Sequence, residues 1–344
     1  MTSTTVQRCG GHITLLFTVD KSNALMRSQG SRGAGFSIHH GVEVNATLHR
    51  IDLGDAWKMS GIAPDQPRPV HESKPSVISV IDMHGEHLEN TELYLDYLEA
   101  CRDATLLRPE EWMEINVRLE CPTSQGFGMS AAGFLAAARA VLDANGTPDD
   151  RYAARAAHRM ERLHRGGLGD VLALQAGGMA LRRKPGAPNV GGAAEGAILE
   201  APLLLVWQPD ESRHTSAYID HPGWKRAITE AGEYALGPLM EGPWTADRWS
   251  DLLKAAATFA TSSGLEAESE RAELLSSVRS ALVDAGLDGA WTCRLCMLGV
   301  SAVVAPLNPA QASPDDVERL RAPLHALGLE ASLCGLAVPG SEEE

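Results

Sequence analysis

The chain has 344 residues, 44% of them hydrophobic and 22% charged, with a formal net charge of −15 and a pI near 5.3. This balance describes a folded globular protein long enough for two packed lobes, and its acidity argues against non-specific nucleic-acid binding. No apolar run approaches the roughly 18 residues of a membrane span. Six cysteines, scattered at 9, 101, 121, 293, 296 and 334 with no signal peptide, point to a reducing cytoplasm. Cys293 and Cys296 form a lone CxxC without a second ligand pair, which reads as incidental rather than as a zinc site.

Taken in chain order, HITLLFTV (12–19) is a β-branched apolar run, and 35–53 alternates in the manner of a hairpin or meander. The polar, glycine-rich stretch between them, 21–35, reads as a loop, and a second polar connection follows at 64–74. Helical apolar spacing over 90–101 predicts a helix, and alternation over 114–121 a strand. Residues 130–144 form a strong helix pattern closed by Asn145–Gly146. Asp149 and Asp150 can cap a further helix that reaches His164. A short helix is expected within 166–178, then a strand at 179–184 turned by Pro185–Gly186. The alanine- and glycine-rich 186–197 reads as the junction between an N-terminal lobe, 1–195, and a C-terminal lobe, 196–340. Beyond it come a buried strand at 201–208 and two or three amphipathic helices between Trp224 and Ala285. A helix or turn followed by a strand is expected over 291–307, then a helix–strand pair before the acidic tail. Strands first, then helices, then a mixture predicts α+β lobes rather than a doubly wound sheet.

The segment that carries chemistry is PTSQGFGMSAAG, from Pro122 to Gly133, set between a strand and a long helix. Gly126 and Gly128 allow the backbone to turn with its N–H groups inward and a ligand to approach closely. The helix that follows brings partial positive charge to the same point, which suits a polyphosphate. Ser130 can offer a hydroxyl to phosphate or Mg²⁺. A Walker A loop would place a Lys-Ser/Thr pair after its last glycine, which this segment lacks. GFGMSA also matches a dinucleotide fingerprint, but four residues separate it from its strand and its helix leads to another helix. A plain glycine-rich turn is the remaining alternative.

P-x-x-x-G-x-G-x-S-A-A resembles the nucleotide loop of the GHMP kinases, the superfamily of galactokinase, homoserine kinase and mevalonate kinase. The resemblance implies a two-lobe α+β fold, with an N-terminal lobe like ribosomal protein S5 domain 2 and a ferredoxin-like C-terminal lobe. ATP and Mg²⁺ would bind between them, with Pro122, Gln125, Gly126, Phe127, Gly128, Met129, Ser130 and Ala131 around the phosphates. GLGDV (167–171) resembles the family's second landmark, which makes Asp170 the candidate general base for phosphoryl transfer. Glu161, nine residues upstream, lies near the place of the family's metal-binding glutamate, so Ser130 and Glu161 form the implied Mg²⁺ site. MLGVSAVVA (297–305) sits where the third landmark belongs, with Gly299 and Ser301 expected to face ligand, although it departs from the commoner Gly-Ser-Gly form.

Residues 30–38, 167–188 and the His158/Glu161 pair are further similar to the archaeal pantoate kinases, over islands spread from about 10 to 305. The start departs from that family, reading GGHITLLF where a proline and a glycine flank HIT. The resemblance implies (R)-pantoate as acceptor, 4-phosphopantoate as product on a route to coenzyme A, and a homodimer. In that reading Arg32 grips the substrate carboxylate bidentately, and Ser31 or His12 binds its hydroxyls. Mevalonate or homoserine as acceptor, a decarboxylase on the same fold, and a non-catalytic metabolite sensor are the alternatives.

Overall fold

The computed structural model describes residues 2–50, 75–89, 91–209 and 216–337. The expected connection at 64–74, the end of the 35–53 strand pattern and the acidic tail lie outside the described residues.

Two long strands organise the first half. β1 (Thr2–Phe17) and β2 (Gly33–Arg50) run antiparallel along almost their full lengths, so 35–50 is one strand and not a hairpin. The glycine that invites a turn there, Gly41, instead faces a register shift at Gly10/Gly11, where a side chain would strike the carbonyl of Cys9. The other edge of β2 is shared. Its start, Gly33–Phe36, pairs with β5 (Met179–Lys184), and Val42–Arg50 pairs with β4 (Glu111–Leu119). β3 (Val77–Ile81), which the sequence reading passes over, adds a parallel partner to β4, and α1 (Glu92–Asp103) connects the two. β6 (Ala193–Ala197) closes the far edge against β5, so the segment read as a junction contributes a strand that runs past 195.

Against this six-stranded sheet lies α2 (Met129–Ala144), buried on nearly every face because its core positions are mostly alanine and let it approach β1 and β2 closely. α3 (Asp150–Leu163) starts where the sequence predicts, with Asp149 accepting from the Tyr152 amide as its N-cap. α4 (Asp170–Ala176) then leads directly into β5.

The second half is a four-stranded antiparallel sheet in the order β10–β7–β9–β8, built from β7 (Pro202–Trp207), β8 (Trp291–Leu295), β9 (Ser301–Pro306) and β10 (Glu330–Gly335). Between β7 and β8 run α5 (Ser216–Ile219) and three long helices, α6 (Pro222–Met240), α7 (Trp249–Ser262) and α8 (Ser269–Asp284). α9 (Pro314–Glu318) and α10 (Arg321–Ala326) precede β10. The 291–307 segment is a β8–β9 hairpin, so a strand stands where a helix or turn was expected before the second strand. Trp291, Cys293 and Leu295 alternate inward with half-buried Thr292 and Arg294, a period of two that marks the first arm. This is a two-lobe α+β architecture.

Candidate active site

A cavity of about 560 Å³ opens where β1, the loop before α2, the start of α4 and the β8–β9 turn meet. Its lining includes Pro122, Thr123, Ser124, Gly126, Phe127, Gly128, Met129, Ser130 and Ala131, so nearly the whole glycine-rich segment faces one space. Gly126 and Gly128 both have left-handed φ, 77° and 74°. At Gly128 a side chain would sit 2.6 Å from the backbone nitrogen of His12 and 2.7 Å from its oxygen. The loop is thus pressed onto β1, and His12 N–H donates to Phe127 O at 3.1 Å. Gly128→Ala cannot relax without moving one backbone off the other. It is expected to lower the Tm in a thermal melt.

Gln125 does not line the cavity. It ties the loop to the second lobe: its Nε2 donates to Gln208 O at 3.0 Å, its Oε1 accepts from Val300 N at 3.1 Å, and its carbonyl accepts from the Ser301 hydroxyl. Gly299 packs on the backbone of Gln125 so closely that no side chain fits. Gly299 and Ser301, expected to face ligand, therefore support the loop from behind, and Met297 and Leu298 of the same turn reach the cavity instead. The small residues are there for contact between two backbones.

Glu161, Asp170 and Ser130 come together at the mouth of α4. A side chain at Gly167 would strike a carboxylate oxygen of both Glu161 and Asp170, so the two acids bracket one small space. Glu161 is buried, bonded by the Ser130 hydroxyl and by Gly167 N–H at 3.3 Å. Loss of water, and after it the charge of Asp170, lifts the Glu161 carboxyl to about 7. Asp170 Oδ1 accepts from the Thr14 hydroxyl at 2.8 Å and lies 3.6 Å from Arg182 Nη1. Arg182 Nη1 also donates to Thr14 Oγ1 at 2.9 Å.

Arg182 is 1% exposed, lines the cavity, and its Nε has no partner. Burial pulls its pKa down and Asp170 opposes that shift. Beside it, His12 is 1% exposed with both ring nitrogens unpartnered, held neutral by burial and then by the Arg182 charge. The sequence reading identified His12 but neither Thr14 nor Arg182. An arginine after three apolar residues in a strand was the one available signal. Arg32, expected to grip a ligand carboxylate, is placed elsewhere. Arg32 lies off the cavity and pairs with Glu233 of α6, while Ser31 is buried against Gly169 and Arg182 and is likewise not on the lining. His158, at 3.3 Å from Met26 O, supports the loop before β2, and burial holds its pKa down at about 4. An apolar stretch of Val80, Leu88, Leu93, Tyr94 and Leu119 completes the cavity wall; it is assembled from four separate segments and could not be read from sequence.

Residues 93–178, which contain the loop, Glu161 and Asp170, match the family described as GHMP kinases N terminal domain. The chain is 30% identical over 235 residues to a pantoate kinase from Thermococcus kodakarensis, covering 67% of this chain and 68% of that one. The chain belongs to the GHMP kinase family. A pantoate kinase from Methanocaldococcus jannaschii is 25% identical over 234 residues, covering 68% of this chain and 72% of the relative. Among solved structures, a phosphotransferase related to the CoA biosynthesis pathway superposes with a TM-score of 0.72 at 23% identity, over 98% of this chain and 97% of the other. As a GHMP kinase, the protein is an ATP-dependent kinase of a small molecule. Among the described residues, no helix is long and apolar enough to cross a membrane.

Proposed function

We propose that this kinase transfers the γ-phosphoryl group of ATP to the primary hydroxyl of (R)-pantoate, giving 4-phosphopantoate and ADP. The observation that carries the proposal is Arg182. A buried guanidinium on the cavity lining, its Nη1 3.6 Å from Asp170, is placed as a carboxylate receptor next to a base. A small hydroxy acid satisfies both groups at once. The names of the aligned relatives narrow that class to pantoate.

In this reading Arg182 takes the acceptor carboxylate, and neutral His12 orients a substrate hydroxyl. Asp170 accepts the proton of the attacking hydroxyl, kept in place by Thr14. The 122–130 loop and the N-terminal turn of α2 hold the phosphates, and the apolar stretch around Tyr94 takes the nucleoside. The donors at Glu161, Ser130 and Asp170 are all oxygen, and a bound divalent cation would offset both the burial and the Asp170 charge that lift Glu161, so these residues fit Mg²⁺. Bound there by Glu161 and Ser130, Mg²⁺ would supply neutralisation of phosphate charge. Catalysis then depends on positioning and on opposing charge.

The test is ADP release with ATP and Mg²⁺ against pantoate, mevalonate, homoserine and pantothenate. Turnover with pantoate alone is expected; turnover with another acceptor and none with pantoate refutes the assignment. Arg182→Gln is expected to raise the pantoate KM by about 10- to 100-fold, the value of one charge-assisted bond. The KM for ATP should change little.

A further inference from the structure

We infer that Arg271 is a positioning residue for the nucleotide phosphates, acting through the 296–300 turn and Gln125. The inference rests on the proposed placement of those phosphates on the 122–130 loop.

Arg271 stands in the first turn of α8, where the helix dipole disfavours a cation, and it is 0% exposed. Burying a guanidinium is costly unless its donors are used, and these are. Nε donates to Gly299 O at 2.9 Å, Nη2 donates to Leu298 O at 2.8 Å, and Nη1 pairs with Glu268. The Tyr218 ring lies 4.8 Å from the guanidinium carbon, and the Tyr218 hydroxyl donates to Glu268 Oε2 at 3.0 Å. Two successive carbonyls are therefore held by one rigid fork, which an ammonium cannot reproduce.

The peptide plane gives this contact its consequence. Gly299 C=O and Val300 N–H belong to one planar unit, so fixing the oxygen fixes the direction of the hydrogen. That N–H donates to Gln125 Oε1 at 3.1 Å, and Gln125 immediately precedes Gly126 of the phosphate loop. Leu298 holds a left-handed φ of 75°, unusual for a side chain of its size, and its carbonyl is the second one gripped. The hairpin itself closes without this arginine, through the β8–β9 ladder and the Cys296 N to Ser301 O bond at 3.0 Å. What Arg271 adds is the orientation of the 298 and 299 peptides, and with it the seat of Gln125.

Arg271→Lys retains charge but cannot bond both carbonyls. We expect its KM for ATP to rise about tenfold or more, while the KM of the acceptor stays near the wild-type value. Since both residues act through one peptide, Gln125→Ala and Arg271→Lys should be non-additive in the KM for ATP. A folded Arg271→Lys protein with unchanged KM for ATP, or full additivity with Gln125→Ala, overturns the inference. Hydrogen exchange on the wild-type enzyme gives a test that needs no variant: ATP should slow exchange across 296–301, and no slowing there counts equally against it. Ser130→Ala tests the loop placement separately. Unaltered ATP affinity in Ser130→Ala refutes that placement, whereas an impaired Ser130→Ala beside an unimpaired Arg271→Lys refutes Arg271 alone.

Discussion

Asp170→Asn is expected to lower kcat by about 10²–10⁴-fold, the range for loss of a general base. The KM values for ATP and acceptor should move only a few-fold. The asparagine keeps the shape and can still accept from Thr14 at the Oδ1 position, so the loss isolates proton acceptance from architecture. The geometry also predicts a second, independent change. Asp170 is the charge that, after burial, holds the Glu161 carboxyl high, so its neutralisation lets the Glu161 pKa fall toward the ordinary carboxylate range. Single-turnover kinetics separate the two effects, because the chemical step slows while nucleotide binding persists. Near-normal turnover in Asp170→Asn would refute the role assigned to Asp170. The four-acceptor assay is best run with this variant beside the wild type, since pantoate-dependent turnover that vanishes in the variant ties substrate and base to one site.

The glycine-rich turn on the cavity wall was legible because its residues are contiguous. Two glycines, a serine and a helix start within nine residues announce a turn with inward N–H groups, whatever the rest of the chain does. Glu161 and Asp170 were reachable because they flank a single turn between α3 and α4, at a spacing the family shares. Arg182 and Thr14 were not, because sheet pairing brings them together. Arg182 stands opposite Gly33 on β2, and Thr14 opposite Gly35, and neither register can be read from one sequence. Arg32 misled for a related reason: a glycine-flanked arginine in a polar loop looks free, yet its partner Glu233 is 201 residues away. Gly299 and Ser301 show that small residues signal close approach without saying to what. Here the approaching group is Gln125. The strand β3 and the first arm of the β8–β9 hairpin are short, and five residues are too few for alternation to stand out from its surroundings.

Glu161→Gln should separate function from stability, with opposite signs. Activity is expected to fall by orders of magnitude together with Mg²⁺ affinity, since the buried acid of the site is gone. The apoprotein, however, should become more stable at alkaline pH. Burial and the Asp170 charge lift the folded Glu161 carboxyl to about 7 from its ordinary 4.5, so the native state holds more protons between those values. Native stability therefore falls as pH rises through that window. The glutamine has no charge to desolvate and avoids that loss. His158 sets the opposite arm. Its folded pKa of about 4 lies below its ordinary 6.5, so the unfolded chain binds more protons and stability falls as pH drops through that range. Thermal melts of the apoprotein from pH 4 to 9 should thus give a dome, and Glu161→Gln should raise its alkaline side while leaving the acid side unchanged. Adding Mg²⁺ with ATP to the wild type should raise the alkaline side in the same way, and EDTA should reverse it. A variant whose alkaline melting point matches the wild type would mean that the loss of water and Asp170 do not hold Glu161 high, and the case for a cation held by Glu161 and Ser130 would fall with it.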